Sequence, residues 1–145
     1  MVKDQLGVAT VSLKRAVKAL TDTHAVLMQA FDVYKETKDL KSYKKVESET
    51  MKQYAENKSE ILKVVKSTHD LDKGYSERAA LIQILLDERM NMTGTYHAKM
   101  LEFIAKSSSG VSEDAKKAMM KTVDAFEKDV AQIDEKIKKA EMNFV

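Results

Sequence analysis

The chain contains no proline, no cysteine and no tryptophan, and only four glycines. Without proline, nothing in the sequence forces a kink or removes a helical hydrogen bond, so long uninterrupted helices are open to it. Without cysteine, disulfides and thiolate metal sites are excluded. Net charge is also lacking: 25 Lys and Arg stand against 23 Asp and Glu, leaving a formal charge of +2. That is too little for long-range attraction to nucleic acid or to an anionic membrane. Apolar runs such as 79–82 and 84–86 fall far short of the ~20 residues that span a bilayer. The opening Met-Val-Lys-Asp-Gln-Leu-Gly has none of the charged-then-apolar character of a signal peptide. The expectation is a cytoplasmic protein.

What is present is periodicity. Leu6, Thr10, Leu13, Val17, Leu20, His24, Leu27, Phe31 and Tyr34 follow a 4-3 heptad spacing. The same spacing returns as Met119, Val123, Phe126, Val130, Ile133, Ile137, Ala140 and Phe144. A stripe at this period turns one helix face toward a partner helix along its whole length. A length of 145 residues suits one domain with a real core.

Four helices are predicted. The first covers 3–38, with small residues Ala9, Ala16, Thr23 and Ala30 along one edge of its stripe. Its only formal charge between Ala19 and Phe31 is Asp22, so burial on more than one side is expected, within a bundle or within an oligomer. The second covers 41–70 and is the most polar, with Asp39 or Ser42 as its cap. The third covers 77–106, with Gly74 ending its predecessor in the left-handed conformation and Ser76 as cap. The heptad phase nevertheless runs on through Gly74. Ser107, Ser108, Ser109 and Gly110 form the clearest loop, and Ser112 caps the last helix above Glu113 and Asp114. These elements predict one all-α domain over 1–145, an elongated antiparallel four-helix bundle. The alternative is three helices with a long central rod through Gly74. Helices of ~30 residues are ~45 Å long.

Chemistry finds little foothold. A di-iron bundle uses Glu-x-x-His pairs, but Thr21, Lys66 and Gly94 stand three before His24, His69 and His97. His69-Asp70-Leu71-Asp72 reads as a solvated turn. His24, on the apolar stripe, reads as a core histidine with one hydrogen bond, or as a polar residue fixing register, rather than a pH switch. Glu88 and Arg89 interrupt an apolar helix and are expected at its edge, because an unpaired buried charge is costly. No Gly-x-Ser-x-Gly, Gly-x-Gly-x-x-Gly or Gly-x-x-x-x-Gly-Lys motif occurs. No catalytic residue, cofactor or metal is expected.

Two surfaces are candidates for binding. Leu13, Leu20, Leu27 and Phe31 form a candidate oligomerisation face. Lys38, Lys41, Lys45 and Lys52 share one basic face if the helix is continuous there, a candidate for lipid phosphates. Acidic residues interleave with these lysines, so a solvated, ion-paired face is the default.

The stretch Tyr96-His97-Ala98-Lys99-Met100-Leu101-Glu102-Phe103 resembles the Tyr-His-x-x-x-x-Glu-Ile/Leu segment in the last helix of BAR domains. The resemblance covers these eight residues and transfers no functional residue. It implies a dimeric helical protein on curved membranes. The chain departs from that pattern in being shorter and in predicting a further helix after the segment. The functional expectation is a non-catalytic protein–protein interaction protein (adaptor, inhibitor or assembly factor) that self-associates and has a further protein partner. A peripheral membrane binder is the alternative, and nucleic acid is disfavoured.

Overall fold

The computed structural model describes residues 2–107 and 110–144. It has four helices, α1 (Val2–Thr37), α2 (Leu40–Thr68), α3 (Lys73–Lys106) and α4 (Glu113–Met142). No strand occurs among the described residues. Side-chain contacts fix the topology. Tyr43 meets His97 and Tyr54 meets Asp87, so α2 and α3 are antiparallel. Arg89 meets Asp134 and Tyr96 meets Phe126, so α3 and α4 are antiparallel too. Thr10 meets Tyr75, His24 meets Thr93 and Phe31 meets His97, so α1 and α3 run parallel across the middle. This is an up-down-up-down bundle.

The apolar stripes close on one another. Leu13, Val17, Leu20, Leu27 and Phe31 of α1 are buried together with Tyr43, Tyr54 and Ile61 of α2. Ala79, Ile82, Leu86 and Met90 of α3 join them, with Ile133, Ile137 and Ala140 of α4. Most of the poorly charged width of α1 is therefore absorbed within one chain, while Val26 stays 49 % exposed. The predicted oligomerisation face is corrected accordingly. Leu13, Leu20, Leu27 and Phe31 are core side chains, at most 2 % exposed.

The turns correct three further expectations. The α1–α2 turn is made at Lys38, whose φ of 59° lies in the left-handed region, and by Asp39. The Asp39 carboxylate accepts from the Ser42 backbone N–H at 3.1 Å and the Ser42 hydroxyl at 2.6 Å. Those two hydrogen bonds hold its carboxyl below the usual range. The helix is thus broken at Lys38, which leaves the basic face; Lys41, Lys45 and Lys52 remain exposed together on α2.

The break before α3 exists, but Gly74 does not make it. Asp72 is the cap, accepting from the Tyr75 N–H at 3.0 Å, and Gly74 lies in the first helical turn with no left-handed φ. Ser76 is buried instead, its hydroxyl donating to the Val65 carbonyl at 2.7 Å. The continuous heptad phase and the break coexist because the turn spans about one helical turn's worth of residues. A Cβ on Gly74 would meet only the end of the Arg78 side chain at 3.3 Å and the Asp72 carboxylate at 3.5 Å. Gly74→Ala is accordingly expected to stabilise by about 0.5 kcal/mol, read as a slightly raised thermal midpoint. A lowered midpoint would show that the Arg78 side chain cannot yield.

Gly110 does carry the left-handed φ, at 98°; Ser108 and Ser109 of that predicted loop lie outside the described residues. Ser112 caps α4 as expected, accepting from the Ala115 N–H at 3.1 Å.

Candidate functional site

A polar layer crosses the bundle centre. On α3, the Thr93 hydroxyl donates to the Arg89 carbonyl at 3.0 Å. Its oxygen is therefore left to accept from His24 Nε2–H, at 2.6 Å. Tyr43 donates its hydroxyl proton to Glu47 at 3.1 Å. So His97 Nδ1–H is the donor in the 2.9 Å bond to Tyr43. The His97 ring stacks on Phe31 with centroids 4.1 Å apart, and its Nε2 is buried without a partner among the described residues.

Burial pushes both histidines down to about 4. Arg89 and then His97 add to the effect at His24, while Glu47 and Asp32 oppose it at His97. Both are neutral at neutral pH. The expectation for His24, a core histidine with one hydrogen bond, matches this geometry.

Two polar ties hold the helices in register. Asp87 of α3 accepts from Tyr54 at 2.6 Å, Lys58 at 2.7 Å and Gln83 at 2.8 Å. Arg89 is not at an edge. Its side chain is 15 % exposed and pairs with Asp134 of α4, Nε to Oδ1 at 2.9 Å. Glu88 points outward instead. These contacts position helices. His69 sits in the exposed turn beside Asp70, at 3.2 Å. Among the described residues no group of three or more His, Cys, Asp or Glu side chains could hold a metal ion. No helix there is long and apolar enough to cross a membrane.

The surface is more informative. α4 covers α3 unevenly: Ile133, Ile137 and Ala140 are buried, but Met119, Val123, Phe126 and Val130 are only half-buried. A groove of about 800 Å³ runs between α3 and α4. Its floor is the stacked pair Tyr96 and Phe126, with ring centroids 3.9 Å apart, together with Met92. Ile84, 61 % exposed, stands at one end, and Leu81, 46 % exposed, continues its line one turn back. Asp87 and Glu88 line the Ile84 half of the groove and Lys99 and Lys121 the other, with Asp129 near its middle.

Neither Ile84 nor Leu81 stood out in the sequence from the core residues around them. The signal was available: Ile84, Leu85 and Leu86 are consecutive, and three consecutive residues span about 200° of a helix. They cannot all face one core. Leu85 and Leu86 turn in, and Ile84 turns out.

No known protein family, curated relative or solved structure matches this chain.

Proposed function

We propose that this chain is a non-catalytic interaction protein, an adaptor, inhibitor or assembly factor, that docks its partner on the α3–α4 face. One observation carries the reading. The groove between α3 and α4 is floored by apolar side chains, and Ile84, 61 % exposed, stands out of it into solvent. Uncovered apolar surface rimmed by charge is the usual mark of an interaction site. The interior supports the same reading, since His24, Tyr43, Asp87 and Arg89 are engaged in contacts between helices.

Ile84→Asp tests this. It is expected to leave the thermal midpoint within about 1 °C, because an exposed position away from caps and core changes stability little. It is also expected to abolish retention of proteins that the wild-type chain captures from its cells of origin. Identical captured sets for both baits would remove the reading. The alternative, a BAR-like peripheral membrane binder, draws on Lys41, Lys45 and Lys52, which lie exposed along α2. It predicts salt-sensitive sedimentation with anionic vesicles, lost on replacing those three lysines.

A further inference from the structure

The α3–α4 groove is charged in opposite senses at its two ends, and this points to its occupant. Asp87 in the lining is taken up by Lys58; of the other charges, Glu88 marks one half, Lys99 and Lys121 the other, and Asp129 stands near the middle. Among the described residues none of these four other charges makes an ion pair within the chain. Glu88 and Lys99 are eleven residues apart on α3, about 16 Å along the axis. A surface acidic at one end and basic at the other is complementary to itself when turned through 180°. That is the requirement of an isologous two-fold contact, in which residue i meets residue j and j meets i.

We propose that the groove is filled by a second copy of this chain, related by a two-fold axis passing close to Thr95 and Ala125. This rests on the reading of the face as a docking surface and names its partner. The midpoint of Glu88 and Lys99 and that of Asp129 and Lys121 lie within about one helical turn of each other, given the register set by the Tyr96–Phe126 stack. The side chains there are small: Thr95, Thr122 and Ala125. Two helix pairs can therefore approach closely at the centre, while Ile84 of each copy reaches over the far half of the other. Glu88 of each copy faces Lys99 of the other, and Asp129 faces Lys121.

The absence of native cysteine makes the geometry directly testable. Ala125→Cys, close to the axis, is expected to cross-link under mild oxidant to twice the 16.4 kDa of one chain. Lys66→Cys, exposed near the end of α2, is the control and is expected to stay single. Glu88→Lys and Lys99→Glu each bring like charges together across the axis, and each is expected to weaken self-association by about tenfold. The two changes combined restore the pairing and are expected to restore association.

Cross-linking of Ala125→Cys no faster than that of Lys66→Cys would overturn the proposal. So would a double variant as weak as the single ones. A chain that stays monomeric yet captures a different protein through Ile84 would overturn the second copy while leaving the docking face intact. Loss of both would remove the face itself.

Discussion

Leu20→Asp is expected to leave the chain unfolded at room temperature. Leu20 is fully buried in α1, surrounded by the stripes of its own chain. Removing a buried leucine side chain costs about 2–5 kcal/mol. An unpaired carboxylate at the same point adds several more. Together these approach the whole stability of a typical domain, about 5–15 kcal/mol. Far-UV circular dichroism reads the result, with loss of the helical signal expected at neutral pH. The contrast with Ile84→Asp is the useful part. The same charge introduced on the same kind of residue is expected to be tolerated there, because Ile84 faces water. A folded Leu20→Asp variant with an unchanged melt would mean that α1 does not sit in the core.

Acid is expected to produce the second-largest effect. His24 and His97 are held down to about 4 in the folded chain, against about 6.5 when unfolded. The sign follows from proton binding. Above pH 6.5 both states carry neutral imidazoles, and this contribution to stability is complete. Between pH 6.5 and 4 the unfolded chain binds protons that the folded chain refuses, so stability falls as pH falls. Each histidine contributes up to about 3 kcal/mol over that window. The melting temperature is thus expected to drop steadily from pH 7 to pH 4.5. His97→Gln is expected to flatten the slope by about half, even though the variant starts less stable. A melting temperature independent of pH across this range would show that the two rings are not closed off from water. Exposed carboxylates such as Asp39 and Glu102, held low by their hydrogen bonds, act only at more acid pH.

The fold was legible because it is written in period and punctuation. The 4-3 stripes locate the buried faces of α1 and of the second half of α4, and the cap of α4 at Ser112 follows from local chemistry. Partner choice was not legible. A heptad stripe says that a helix has a partner, not whether that partner is in the same chain. So Leu13, Leu20, Leu27 and Phe31 read equally well as core or as oligomer face. The turn at Gly74 misled for a different reason: glycine permits a left-handed conformation but does not require one, and Asp72 rather than Ser76 caps α3. Lys38 shows the converse, a non-glycine residue taking the left-handed turn, which composition alone gives no reason to expect. Arg89 looked like an edge residue because its partner, Asp134, is 45 positions away. The α3–α4 groove depends on how far α4 leans over α3, and no local pattern encodes that.

The claim that the bundle presents one docking face, on α3 and α4, is tested most directly by hydroxyl-radical footprinting at low and high protein concentration. Met92 and Phe126 lie in the groove, whereas Met51 on α2 and Met142 at the end of α4 are exposed elsewhere. The account predicts that Met92 and Phe126 become less reactive as concentration rises, while Met51 and Met142 keep their rates. Unchanged reactivity at Met92 and Phe126, or protection that appears at Met51 and Met142 instead, would contradict it.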